Sequence, residues 1–180
     1  MNQPAPARDM IAELGALDRT AFTQRLEGIF EHSPWIAART WDARPFADVA
    51  NLHKAMLATL AAARHDEKLA LIRAHPELAG KEAAAGTLTA ASTGEQRGAG
   101  LDQCSRKELD TLRGLNAEYR ERHGFPFVIA VKGLSRYQII DALSNRLNQD
   151  TATEFDTCLN EIGKIARFRL DALFADHSGQ

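Results

Sequence analysis

The stretch LALIRAHPELAGK, residues 69–81, carries an apolar helical run into a histidine that directly precedes a proline. The proline ring disfavours the α conformation in the residue before it, so we expect a helix to end at His75 with extended backbone there. A titratable imidazole is thereby placed at a helix C-terminus. Spacing alone leaves two interpretations of His75 open, a residue that only ends the helix and a catalytic group.

Apolar residues recur at helical spacing on both sides of this stretch. Thr20 is the expected N-cap of one helix. Ser92-Thr93-Gly94-Glu95 and Ser105-Arg106-Lys107-Glu108 both fit the capping box, in which serine and glutamate satisfy backbone donors at a helix start. The pattern predicts the longer helices at residues 21–31, 46–64, 105–122, 136–148 and 154–175.

One apolar run, FPFVIAVKG at residues 125–133, is rich in β-forming residues but contains a proline and has no candidate partner strand. We interpret it as a buried extended segment whose backbone polar groups, lacking a sheet, are available to a ligand. The predicted fold class is therefore all-α: a single-domain multi-helix bundle with one buried extended segment at about residues 125–131. Residues 1–8 are expected to be a disordered leader, and residues 9–180 a single helical domain.

Composition excludes several functional classes. A formal net charge of −2 over 180 residues provides no basic field for nucleic acid or an anionic membrane. No apolar run is long enough to span a bilayer, and no targeting signal is recognised. Two distant cysteines, Cys104 and Cys158, argue against a disulfide framework. We expect a cytoplasmic protein with neither nucleic-acid nor membrane partners.

The last predicted helix carries an arginine where an apolar residue is expected. At about 100° per residue, Arg169 projects into the middle of the apolar stripe and Arg167 to its margin. A guanidinium pointing into a core needs an anion. Two partners stay open, an internal carboxylate and a bound anionic substrate.

The sequence does not contain the motifs of several other kinds of catalytic or binding site. The chain has no glycine-rich phosphate loop, no nucleophile elbow and no histidine pair at metal-ligand spacing, so neither a metal nor a cofactor is expected. His53 falls on an apolar helix face and is interpreted as structural. What remains is a cofactor-free site built from His75, polar groups and one buried arginine.

Six motifs, taken together and in order, resemble the OHCU decarboxylase family, the 2-oxo-4-hydroxy-4-carboxy-5-ureidoimidazoline decarboxylases of urate degradation. The resemblance extends from about Phe22 to Leu173. The motifs are FEHSPW (30–35), LIRAHPELAGK (71–81), STGEQ (92–96), LNAEY (115–119), GFPFVIAVKG (124–133) and IARFRL (165–170).

The resemblance implies an all-helical, cofactor-free, homodimeric carboxy-lyase that converts a small anionic ureidoimidazoline to (S)-allantoin. His75 matches the family's catalytic histidine, and Glu95 is the second expected catalytic residue. The site arginine matches Arg167 or Arg169, and the stripe favours Arg169. The remaining expected substrate-binding residues are Pro76, Ser92, Gln96, Phe125, Pro126, Phe127, Val128 and Ile129.

A non-catalytic helical interaction module is the alternative, with Trp35 and Trp41 on a partner surface. It would not explain an inward arginine, a histidine before proline and an unpaired Phe-Pro-Phe segment in one chain.

Overall fold

A computed structural model describes residues 5–175 of the chain, with side chains from residue 9 onward. No β-strand occurs in residues 5–175, which confirms the all-α prediction. Two 3-10 turns, Trp41–Ala43 and Leu101–Gln103, supplement the α-helices. The α-helices are α1 (Ala5–Ala16), α2 (Arg19–Arg25), α3 (Trp35–Thr40), α4 (Val49–Ala61), α5 (His65–Ala74), α6 (Lys81–Ala85), α7 (Ala90–Gly98), α8 (Arg106–His123), α9 (Arg136–Arg146) and α10 (Thr151–Ala175).

The chain divides into two compact units. The first comprises Met1–Leu71 with Gly163–Gln180, and the second comprises Ile72–Ile162. The expectation of a single domain over residues 9–180 stays a prediction. The expected leader lies outside the described residues at positions 1–4, whereas residues 5–8 begin α1. Pro6 is tolerated there because the first helical turn does not need its N–H. The expectation of a leader over residues 1–8 stays a prediction.

The first unit has a core of large apolar side chains. Phe22 stacks on Phe46 with ring centroids 6.0 Å apart. Trp41 is held by two contacts. Its indole N–H donates to the Leu17 carbonyl at 3.0 Å, and the Arg44 guanidinium lies 3.5 Å from its ring centre. Trp41 is therefore packed within the unit. Further side chains of this core with exposure below 2% include Ile11, Ile36, Leu52, Met56 and Leu71.

Helix starts agree with the sequence at one capping box and differ at two positions. Ser105 forms its predicted box at the start of α8. Asp18, not Thr20, caps α2, and Thr89, not Ser92, caps α7. Aspartate and threonine are both good caps, so the pattern alone could not choose between neighbouring candidates. Ser92 lies inside α7 as a consequence.

Residues 125–131 of the second unit belong to no helix or strand, and all of them except the half-buried Ile129 are buried. The predicted buried non-helical segment is thus confirmed. Aromatic rings surround its first half: Tyr119 of α8 lies edge-on to Phe127 at 5.3 Å, and Phe155 of α10 lies edge-on to Phe125 at 6.0 Å.

No helix within residues 5–175 has both the length and the apolar content that crossing a bilayer requires.

Glu108 at the start of α8 gives the first prediction, a loss of stability in acid. Its carboxylate accepts the Ser105 N–H at 2.6 Å and the Arg136 Nε–H at 3.1 Å, and these bonds lower the pKa of Glu108 from 4.5 to about 2. A lowered folded-state pKa gives stability that is complete above about pH 4.5 and lost as pH falls toward 2. Glu108→Gln should therefore be less stable at pH 7 and show a smaller loss between pH 4.5 and 2 in urea unfolding.

The control is Glu118→Gln, which makes the same change in net charge at an exposed position of the same helix. An unchanged pH slope in Glu108→Gln would contradict the assignment of this stability to the α8 start.

Candidate active site

His75 lies immediately after α5, as its position before Pro76 predicts. Its backbone N–H donates to the Ile72 carbonyl at 3.2 Å, and only 7% of the residue is exposed. The backbone of His75 is therefore fixed at the carbonyl end of a ten-residue helix. The partial negative charge of that end favours a cationic side chain.

The loop after Pro76 is fixed by two amide side chains. Gln96 of α7 accepts the Ala79 N–H at 2.9 Å through Oε1, and its Nε2 donates to the Glu77 carbonyl at 3.5 Å. Asn116 of α8 donates to the Leu78 carbonyl at 3.1 Å. These bonds satisfy backbone groups that no helix satisfies, so α7 and α8 together determine the path of the chain that follows His75.

The same loop has little steric freedom. Ala79 adopts a positive φ of 50°, in the left-handed region that is unfavourable for a residue with a Cβ. A Cβ on Gly80 would come within 2.8 Å of the Glu77 Cβ, so this close approach requires glycine. The Glu77 carboxylate is paired with Arg120 of α8 at 2.6 Å. His75 and Pro76 thus precede a rigid turn.

Three polar residues of α7 lie at helical spacing on one side. Ser92, Glu95 and Gln96 are separated by three and four residues, which places them on neighbouring positions of one helix face. Ser92 and Gln96 are 4% and 6% exposed, and Glu95 is half-buried. The bonds of Gln96 bring this face to the loop that follows His75.

The segment at 125–131 is tied to the same region. Arg73, two residues before His75, donates to the Gly124 carbonyl from Nη2 at 3.0 Å and from Nε at 3.2 Å. Glu161 of α10 accepts the Ala130 N–H at 2.8 Å. The second unit therefore brings together the end of α5, the polar face of α7 and the start of the non-helical segment.

Arg169 lies in the first unit and is 9% exposed, which confirms its predicted place in the apolar stripe. Its Nη1 donates to the Glu31 carboxylate at 2.7 Å and to the Gly28 carbonyl at 2.8 Å. Arg167, by contrast, pairs with Asp171 one turn away at 2.9 Å, with 37% of its side chain exposed. The internal carboxylate that the sequence left open is Glu31.

The contacts of His53 agree with its structural interpretation. The His53 ring donates from Nε2 to the Gly163 carbonyl at 2.8 Å, both within the first unit. Among the described residues, no group of three histidine, cysteine, aspartate or glutamate side chains is arranged to hold a metal ion.

The sequence of the chain matches a known protein family over most of its length. The family described as OHCU decarboxylase matches residues 15–171. The chain belongs to this family. A 2-oxo-4-hydroxy-4-carboxy-5-ureidoimidazoline decarboxylase of Halalkalicoccus jeotgali is 36% identical, covering 94% of this chain and 94% of the relative. A decarboxylase of the same name from Haloferax volcanii is 39% identical, covering 92% of this chain and 96% of the relative.

A solved structure, the crystal structure of an (S)-allantoin synthase, superposes with a TM-score of 0.70 at 27% identity. The match covers 91% of this chain but only 53% of that protein, so the chain spans about half its length. As an OHCU decarboxylase family member, the chain is an enzyme of the carboxy-lyase class. The family assignment replaces the alternative of a non-catalytic interaction module.

In this OHCU decarboxylase family member, three residues that hold other groups in position were not predicted from the sequence. Asn116 positions the loop after His75, Glu31 pairs with Arg169, and Arg146 contacts the non-helical segment. Asn116 and Glu31 lie inside quoted motifs, and a buried polar residue on an apolar helix face is the signal that could have identified Asn116. Arg146 carries no such signal, because it lies in the last turn of an ordinary helix.

Proposed function

We propose that this chain decarboxylates 2-oxo-4-hydroxy-4-carboxy-5-ureidoimidazoline to (S)-allantoin without a cofactor, as a step of urate degradation. The observation that carries the proposal is the position of His75 at the end of α5, directly before a loop that Gln96 of α7 binds, in a chain that matches the OHCU decarboxylase family over residues 15–171. The names of the relatives supply the substrate, and the name of the solved (S)-allantoin synthase supplies the product.

The substrate provides its own electron sink. Its C4 carries the carboxylate and a hydroxyl, and the adjacent C5 is double-bonded to a ring nitrogen. When the C4–carboxylate bond breaks, its electron pair forms a C4=C5 double bond, and the C=N π pair moves to nitrogen, which takes a proton. The hydroxyl then loses its proton to give the C4 carbonyl, while C5 takes a proton on one face. The enzyme has to hold the carboxylate out of the ring plane and direct these protons.

His75 is assigned as the general acid and base for these proton transfers, because an imidazole exchanges protons near neutral pH. Glu95, half-buried on α7, is assigned as the second catalytic residue, which orients His75 or a substrate N–H. Protonation from one side only accounts for a single enantiomer of the product.

The remaining polar groups are assigned to binding. Ser92 and Gln96 suit the ureido or ring amide groups of the substrate. The Gln96 amide can form further hydrogen bonds in addition to those with Ala79 and Glu77. Pro76 and the backbone of residues 125–129 are assigned to the pocket wall. Arg169 is assigned to the substrate's negative charge, and its bond to Glu31 fixes the orientation of the guanidinium.

We also propose a cytoplasmic homodimer that binds a small anionic molecule and neither nucleic acid nor membrane. The family resemblance supports the dimer. Cys104 and Cys158, which form no disulfide, and the net charge of −2 support the other assignments. Sedimentation of the purified chain should give a mass near twice 19.8 kDa, and a mass near 19.8 kDa would contradict the dimer.

Release of labelled carbon dioxide tests the proposed reaction. Freshly generated substrate with ¹³C in its carboxylate is mixed with the full chain in deuterated water, and the products are followed by NMR. We expect release of labelled carbon dioxide far faster than in buffer, with one deuteron at C5 of the product. Release no faster than in buffer would overturn the proposal.

A further inference from the structure

A buried charged cluster lies against the non-helical segment of the second unit. It consists of Arg146 of α9 with Tyr119 of α8 and Glu154 of α10. The Glu154 carboxylate, 1% exposed, accepts from Arg146 Nη2 at 2.8 Å and Nε at 3.0 Å, and it also accepts the Tyr119 hydroxyl. Burial alone would lower the pKa of Arg146, but the bonds to Glu154 and the nearby Cys158 and Tyr119 raise it, so the guanidinium is charged.

A contribution to the stability of the core does not by itself explain such a cluster. Burying two charges costs desolvation energy, and well-packed apolar residues of similar volume often stabilise a core as well or better. The position of the guanidinium suggests a different role, because its Nη1 is directed at the backbone and not at Glu154. Arg146 Nη1 donates to the Val128 carbonyl at 2.9 Å, while its guanidinium lies 4.4 Å from the Phe127 ring centre.

The helices hold alternate residues of the segment. Val128 is held at its carbonyl by Arg146 and at its N–H by the Cys158 sulfur, and Ala130 is held at its N–H by Glu161. In extended backbone, residues two apart face the same side and their neighbours face the other. The bonded groups at Val128 and Ala130 follow this alternation, so we infer that the N–H and C=O of Phe127 and of Ile129 face away from the cluster. Ile129 is also the only residue of 125–131 that is half-buried instead of buried.

We propose that Arg146 is a positioning residue, which fixes the Val128 carbonyl so that the neighbouring peptide groups of the 125–129 segment are held in register for the substrate. This inference rests on the proposed decarboxylase function. Arg146 does not touch the substrate; it acts through the backbone it binds. Glu154 and Tyr119 hold the guanidinium in one orientation, which a planar fork of donors allows and a flexible ammonium does not.

Two variants separate positioning from folding. Arg146→Lys keeps the charge but cannot reach Glu154 and the Val128 carbonyl with a rigid fork. Arg146→Met combined with Glu154→Gln removes both charges, keeps an oxygen acceptor for the Tyr119 hydroxyl and packs an apolar chain in place of the guanidinium. The matched control is Arg136→Lys, since Arg136 also lies on α9 and pairs with a glutamate, Glu108 at the start of α8.

Steady-state decarboxylation is measured for each protein at a temperature where circular dichroism shows it fully folded. We expect KM to rise about tenfold in Arg146→Lys and in the double variant while kcat changes much less, because the lost interaction positions the binding wall and not the proton donor. Arg136→Lys should keep the wild-type KM. The enantiomeric purity of the enzymatic product should also fall in both Arg146 variants.

If both Arg146 variants keep the wild-type KM and product purity and lose only thermal stability, the cluster is structural and the inference is overturned. An inactive wild-type chain would overturn the proposed function instead, which keeps the two failures distinguishable. If the double variant recovers stability but retains the raised KM, positioning and stability are separate, as the inference requires.

Discussion

Replacement of His75 by alanine is expected to lower kcat for decarboxylation at least about a hundredfold, since general acid–base groups contribute roughly 10² to 10⁴. The substrate still has its ring as electron sink, so slow uncatalysed decay continues, but no positioned group moves the hydroxyl proton or protonates C5. Substrate binding should change less than kcat, because Ser92, Gln96 and the 125–129 backbone are untouched. Initial rates at saturating substrate measure the effect.

The matched control for this experiment is His53→Ala. His53 is a half-buried histidine whose ring donates to the Gly163 carbonyl, and it lies in the first unit. Its loss should cost about 1 kcal/mol of stability, the usual value of one hydrogen bond, and leave kcat unchanged. Wild-type kcat in His75→Ala at saturating substrate would show that His75 only ends α5.

The buried pair of Glu31 and Arg169 is expected to give the largest loss of stability. Glu31 is 2% exposed and holds the Arg169 guanidinium at 2.7 Å. Glu31→Gln leaves that guanidinium buried without its anion, and breaking a buried pair in this way costs about 3 kcal/mol. Urea unfolding of the variant measures the loss directly.

Arg169→Lys distinguishes a binding role from a purely structural one. Lysine keeps the charge beside Glu31, so most of the stability should remain, but it loses the guanidinium geometry that suits a carboxylate. We expect a clear rise in KM and only a small loss in the free energy of unfolding. A variant that is destabilised but keeps the wild-type KM would assign Arg169 to the internal ion pair alone.

Sequence patterns were sufficient for the features that depend on neighbouring residues. The stop at His75 follows from Pro76, the box at Ser105 from its glutamate three residues later, and the buried place of Arg169 from helical periodicity. The non-helical state of residues 125–131 follows from a β-rich run without a partner strand. Each of these depends on physics that acts within one or two turns of chain.

The features that sequence patterns missed depend on residues far apart in the chain. The Glu31 partner of Arg169 is 138 positions away, and the Arg146 contact to Val128 spans 18 positions with a helix start between them. One sequence gives no distances between such residues, so a charged residue can be recognised as buried without its partner being known. Cap choice failed for another reason, because Asp18 and Thr89 compete with equally good neighbours.

Circular dichroism during turnover tests most directly that this chain makes one enantiomer of allantoin by catalysed decarboxylation. Freshly generated substrate is mixed with the wild-type chain, with His75→Ala and with buffer, and the signal near the allantoin band is followed. The wild-type chain should produce a rapid signal of the sign of (S)-allantoin, whereas buffer and His75→Ala should give only slow decay to a racemate. A wild-type trace that follows the buffer trace would contradict the proposed function.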